Sequence, residues 1–109
     1  MPESTDRGAL TEAVFYILLA LQTPLHGYGI MRTVAHLTDD RVVLGAGTLY
    51  GALNTLTDRG WIEPCPDEGT RRRKTYCITP LGTEVLGEEI KRLRTLLAHA
   101  EELVKGERT

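Results

Sequence analysis

Two groups of side chains in this 109-residue chain are equipped for chemistry: the run Arg71-Arg72-Arg73-Lys74, and Thr48, Tyr50, Asn54 and Thr55. Guanidinium groups grip phosphate oxygens in two-pronged fashion or enter a narrow minor groove. Amides and hydroxyls hydrogen-bond phosphates and base edges, and an Asn side chain matches adenine with a paired donor and acceptor. Neither group is catalytic equipment. No Ser/His/Asp or Cys/His set falls at a spacing that suggests one pocket, no carboxylate pair stands beside a cleft, and no Gly-rich phosphate loop follows a strand. "GYG" and "GAG" are too short to count. We therefore expect no enzyme, no catalytic residue and no cofactor. Cys65 and Cys77 make no metal pattern either, since His26, His36 and His99 lie far off in sequence. They are expected to be two reduced thiols, with a redox pair as the alternative.

These residues need elements to place them. "TEAVFYILLALQ" (11–22) reads as a helix capped by Thr11, with Glu12 at the positive end of its dipole and Pro24 just beyond. Val14, Ile17, Leu18 and Leu21 follow helical spacing, and Phe15, Tyr16, Leu19 and Ala20 are apolar too, so most sides must be covered. "HGYGIMRTVAHL" (26–37) is a second helix with Ile30, Val34 and Leu37 inward. Gly27 and Gly29 in its first turn suggest a close approach of another element. His26 reads as a helix-start residue. A short strand is expected at Val42 to Leu44.

A third helix, Ala46 to Arg59, buries Leu49, Leu53 and Leu56 and stops at Gly60. Its opposite face presents Gly47, Thr48, Gly51, Asn54, Thr55 and Asp58, with Tyr50 on the flank. A solvated face would normally carry several charges, and here only Asp58 is charged. Strands "WIEPC" (61–65) and "KTYCI" (74–78) then form a hairpin whose connection holds the cations. Thr79 caps a last helix and Pro80 takes its first position. That helix, about 80 to 105, would run roughly 39 Å. Leu86, Ile90, Leu93, Leu97, Ala100 and Val104 recur at alternating steps of four and three, the rhythm of a heptad seam. So long a stripe exceeds what one small core covers, and a contact between two copies is expected.

The totals fit one domain. The chain is 41% hydrophobic and 26% charged, in the range of ordinary globular proteins. Its longest apolar stretch, Ala13 to Leu21, is nine residues, against roughly 20 for a membrane span. "MPESTDRG" carries two acids before its first Arg, unlike a signal peptide. A cytoplasmic protein is expected. Net charge is −2, so any nucleic-acid contact must rest on local charge.

Three helices followed by a two-stranded hairpin make a winged helix-turn-helix: mostly α with a small β wing, plus a long C-terminal dimerisation helix. In that arrangement the third helix enters the major groove, about 12 Å wide. Its small N-terminal residues let backbone N–H groups approach a phosphate. Tyr28, Gly47, Thr48, Tyr50, Asn54, Arg71, Arg72, Arg73 and Lys74 are the candidate DNA contacts. The expected division is residues 1–10 as a tail, 11–79 as the DNA-binding domain and 80–109 as the dimerisation helix.

"LLALQTPLHGYGIMRTV", "GAGTLYGALNTLTDRGWIE" and "RRRKTYCITPLGTEVL" together resemble the PadR family of bacterial transcriptional regulators, over about Ala13 to Glu89. The resemblance implies a homodimeric repressor on a palindromic operator. It also implies that the C-terminal helix pairs the copies with help from the first helix, which adds Val14 and Leu18 to the interface. A small hydrophobic or phenolic molecule is the implied candidate effector. The last helix has no aromatic residue, and the one Trp, Trp61, starts the wing, so an aromatic drug platform on that helix is not expected. The alternative from another class is a winged-helix protein-interaction module that binds no DNA.

Overall fold

The computed structural model describes residues 8–65 and 74–108. Helix α1 (Glu12–Ala20) is capped as expected, the Val14 N–H donating to the Thr11 hydroxyl at 3.2 Å. A two-residue strand, β1 (Leu25–His26), precedes α2 (Gly27–Leu37), and α3 (Ala46–Asp58) follows. Strands β2 (Ile62–Cys65) and β3 (Thr75–Ile78) lead into α4 (Pro80–Arg108). The sheet is antiparallel in the order β1-β3-β2, with Leu25 opposite Tyr76 and Ile62 opposite Ile78. Pro64 is tolerated because β2 is an edge strand.

Helix α1 lies at the centre, against both α2 and α4. The core gathers Ile17, Leu18 and Leu21 from the first helix, Ile30 and Val34 from the second, and Leu49, Leu53 and Leu56 from the third. Ile62 and Tyr76 close it from the sheet, and Val85 and Leu86 from α4. Chain-end chemistry sets the turns. Gly60, at φ +79, ends α3; its N–H donates to the Thr57 carbonyl and the Trp61 N–H to that of Leu56, both at 3.0 Å. That paired closure uses the left-handed conformation glycine takes without penalty. Thr79 accepts from the Gly82 N–H at 3.0 Å and donates to the Gly60 carbonyl at 2.6 Å, tying the start of α4 to the end of α3.

Three sequence expectations are corrected. Val42 to Leu44 form no strand: the Val42 N–H is taken by the Thr38 hydroxyl at 3.0 Å and Leu44 turns into the core. Leu37 is exposed rather than inward, at the last position of α2. His26 starts α2 as expected, capping it with Nδ1, which accepts from the Gly29 N–H at 3.1 Å, and it also pairs as the second residue of β1. Cys65 and Cys77 are joined in a disulfide rather than held as separate thiols. The register puts Cys65 opposite Thr75 and Glu63 opposite Cys77, so the two cysteines are diagonal neighbours on one face, with Cα atoms 5.7 Å apart.

The apolar seam of α4 divides in two. Val85 and Leu86 are inside the core and Ile90 packs on its edge. Glu89, buried at that edge, accepts from Arg92 Nε and Nη2 at 2.9 and 2.6 Å. From there outward the stripe stands in solvent: Leu93 is 39% exposed, Leu97 57% and Leu103 71%. The helix spans roughly 43 Å at 1.5 Å per residue, the main reason the molecule is 60 Å long and 22 Å across its shortest axis. Among the described residues, no helix is long and apolar enough to cross a membrane.

Candidate nucleic-acid interface

Leu49, Leu53 and Leu56 anchor α3 to the core, which turns Gly47, Thr48, Gly51, Asn54, Thr55 and Asp58 outward, all exposed. Gly45 caps α3 without any side-chain hydrogen bond, and the first turn carries no acid. Its leading N–H groups therefore remain available, and the space around Gly45, Gly47 and Gly51 is open enough for another molecule's backbone to approach. Helix α1, by contrast, starts with a hydroxyl cap and Glu12. The Thr55 hydroxyl is turned back onto the Gly51 carbonyl at 3.2 Å, which leaves Asn54 and Thr48 as the outward hydrogen-bonding groups.

Tyr50 has a second task. A Cβ on Gly27 would collide with the Tyr50 hydroxyl and lie 2.6 Å from its ring carbon Cζ. The phenol thus lies across the first turn of α2, and only glycine there lets the two helices close. This explains Gly27; a Cβ on Gly29 would instead stand 3.3 Å from Leu25 Cδ2. Burial, with Tyr50 as the smaller cause, pushes the pKa of the Tyr76 phenol above the usual 10.0.

Tyr28 is exposed on the first turn of α2, and the Arg32 guanidinium lies 5.7 Å from its ring centroid. Arg32 was missed in sequence; its signal was the four-residue step from Tyr28, which puts both on one helical face. Stacking on Tyr28 holds that cation at the surface beside the phenol. Lys74 is exposed just before β3. Arg71, Arg72 and Arg73 lie outside the described residues. Arg41 and Glu12 form a bidentate pair at 2.6 and 3.3 Å between the start of α1 and the loop after α2. The guanidinium holds the Glu12 carboxyl below its ordinary value, and the carboxylate holds Arg41 above its own. Gly82 was also missed: a Cβ there would meet the Trp61 carbonyl and stand 2.8 Å from Ile78 Cγ1, so α4 crosses the sheet on bare backbone.

Of the residues expected at a contact between copies, Leu18 and Leu86 are already covered by this chain's own core, at 0% and 5% exposure. Val14 and Ile90 are partly covered, and Leu93, Leu97, Ala100 and Val104 are exposed. Among the described residues, no group of three His, Cys, Asp or Glu side chains could hold a metal ion.

A three-helix core, a third helix with no acid in its first turn and no side-chain cap, and an adjoining β wing define a winged-helix protein. The profile of the transcriptional regulator PadR-like family matches residues 16–88, and this chain belongs to that family, whose members are DNA-binding regulators rather than enzymes. An uncharacterized 37.1 kDa protein in transposon TN4556 of Streptomyces fradiae is 38% identical over 79 residues, covering 72% of this chain and 22% of that protein. The chain thus spans well under half of that relative's length. A PadR family transcriptional regulator from Eggerthella lenta DSM 2243 is 27% identical, with a TM-score of 0.65 over 84% of this chain and 76% of that one. BpsR of Bordetella bronchiseptica, whose DNA binding is regulated by 6-hydroxynicotinic acid, shares the fold at 20% identity and a TM-score of 0.66, over 91% of this chain and 70% of that one.

Proposed function

We propose that this chain is a cytoplasmic, homodimeric repressor that binds a palindromic operator and is released by a small hydrophobic or phenolic effector. The observation that carries the reading is the outward face of α3: exposed Thr48 and Asn54 behind an uncapped, acid-free first turn, with Tyr28 and Arg32 beside it. Such a face offers donors to phosphate and base edges and no carboxylate to repel them until Asp58 at the far end. Lys74 and the arginines before it add sequence-independent affinity with steep salt dependence. Asn54, Thr48 and Tyr50 add register and selectivity.

Residues 11–79 carry the DNA contacts, and the outer part of α4 pairs two copies through Leu93, Leu97, Ala100 and Val104. Pairing sets the two α3 helices about one duplex turn apart, roughly 34–36 Å. A bound dimer then excludes polymerase from the promoter. An effector that prefers a different angle between the two α4 helices would change that spacing and free the site. The ligand-regulated DNA binding of BpsR is consistent with release by a small molecule.

The test is genome-wide recovery of DNA bound by the full chain, followed by titration of the recovered duplex and a scrambled one. A symmetric site bound at least tenfold tighter than the scrambled duplex is expected. Failure to retain any duplex at low salt would overturn the proposal in favour of a protein-interaction module.

A further inference from the structure

We infer that Cys65 and Cys77 form a reversible thiol–disulfide exchange site that sets the DNA affinity of the β2–β3 hairpin; the affinity part rests on the DNA-binding function proposed above. The strand register places Ile62 and Tyr76 on the face that packs into the core. Glu63, Cys65, Thr75 and Cys77 occupy the other face. Both cysteines are partly exposed there, and neither belongs to the hydrophobic core. Their bond is therefore within reach of a small thiol, and breaking it removes no core contact.

Its place in the chain gives it leverage. The bond joins the last residue of β2 to the third of β3, closing a loop across a sequence separation of 12. That loop contains Arg71, Arg72, Arg73 and Lys74. Among the described residues, Cys65 opposite Thr75 is the last register pair of β2 and β3 at this end, so the bond sits where the described ladder stops. A crosslinked hairpin has less freedom to lose when it binds, so the oxidised form binds duplex more tightly.

The chemistry is a two-electron exchange. The thiolate of a low-molecular-weight thiol attacks one cysteine sulfur, breaking the disulfide and giving a mixed disulfide and a free cysteine. A second small thiolate attacks the small-molecule sulfur of that mixed disulfide and releases the second cysteine. The protein gains two electrons and two protons, and two small thiols become one small disulfide. The reverse sequence, driven by a small disulfide as oxidant, restores the bond. Where DNA is kept among reduced thiols, an accessible pair of this kind stays reduced until the thiol pool shifts, which suits it to sensing rather than to permanent support.

The experiment equilibrates the full chain with reduced and oxidised glutathione at graded ratios. Alkylation and mass spectrometry give the disulfide fraction, and anisotropy on a genome-recovered duplex gives affinity in each buffer. The expected result is a disulfide fraction that follows the ratio with a two-electron slope, and an affinity about fivefold to tenfold weaker once reduced. The Cys65→Ser/Cys77→Ser variant should bind at the reduced-state affinity in every buffer. Persistence of the disulfide in excess reduced glutathione, or equal affinity of the two wild-type states, overturns the inference. If the disulfide fraction follows the ratio but neither state retains any duplex, the DNA-binding proposal fails and takes the affinity claim with it. The exchange site itself would then be established.

Discussion

The outer face of α3 exposes Thr48, Gly51, Asn54 and Thr55, while the outer part of α4 exposes Leu93, Leu96, Leu97, Leu103 and Val104. Water alone selects neither set. The α3 face lacks the charges a solvated helix carries, and the α4 stripe lacks polarity altogether, although Lys91, Arg94, Glu101, Glu102 and Lys105 surround it. The first surface suits a partner of fixed polar groups that must come close; the second suits an apolar partner with the same heptad spacing. A partner's chemistry can thus be read from the way a surface departs from ordinary solvation.

Magnitudes sharpen the contrast. Burying a Leu or Val fully is worth about 1.5–3 kcal/mol, and these are roughly half covered already. Four such residues on each of two copies yield on the order of 6–12 kcal/mol, against an association cost of about 4–15 kcal/mol. The α4 stripe alone leaves a pair near balance, so one charge within it should separate the copies. Leu97→Glu is therefore expected to give a monomer by light scattering at micromolar concentration. Its operator affinity should fall about a hundredfold or more, because two-site binding is lost. A variant that stays paired would break the comparison at its apolar end.

The next largest effect concerns the root of α4. Gly82→Ala drives a methyl against the Trp61 carbonyl and should cost about 2–3 kcal/mol by denaturant unfolding. At Gly27, alanine should be harmful only while Tyr50 lies over it. Tyr50→Ala in the same chain should restore much of the lost stability, and a failure to rescue would mean that the two helices do not close on that phenol.

Selectivity separates the α3 face from the wing. Asn54→Ala should weaken operator binding by about 1–3 kcal/mol while leaving a random duplex nearly unchanged. Arg72→Ala should weaken both alike and reduce the salt slope by about one. Equal losses from the two variants in a fluorescence titration would erase the distinction between reading and holding.

The smallest effect is a pH signature. Glu12 is held below its ordinary value of 4.5 by Arg41. The pair's stabilisation is therefore present above that value and is lost as pH falls through the lowered one. Both side chains are well exposed, so the contribution is slight. Arg41→Ala should unfold a little earlier than the parent at neutral pH, and the two melting curves should converge in strong acid.

Much of this was legible in the chain itself. Thr11, Thr79-Pro80 and Gly60 mark helix ends through local hydrogen bonding, and the spacing of Leu49, Leu53 and Leu56 fixes which side of α3 faces out. What escaped had no local mark. Two residues, Leu25 and His26, are too few to alternate, so β1 exists only because β3 lies beside it. The Gly27–Tyr50 and Gly82–Trp61 approaches join residues about twenty positions apart, and a glycine announces closeness without naming its partner.

Periodicity, caps and turn residues act within a few positions, and so the sequence by itself determined the helices, the hairpin strands and an α3 face whose one charge is Asp58. Where a core ends is a property of many surfaces meeting at once. Leu86 and Leu97 share one heptad pattern, yet only tertiary packing decided that the first is buried in the core and the second left in water. The same holds for Cys65 and Cys77, whose union required the register of two strands as well as the presence of two thiols.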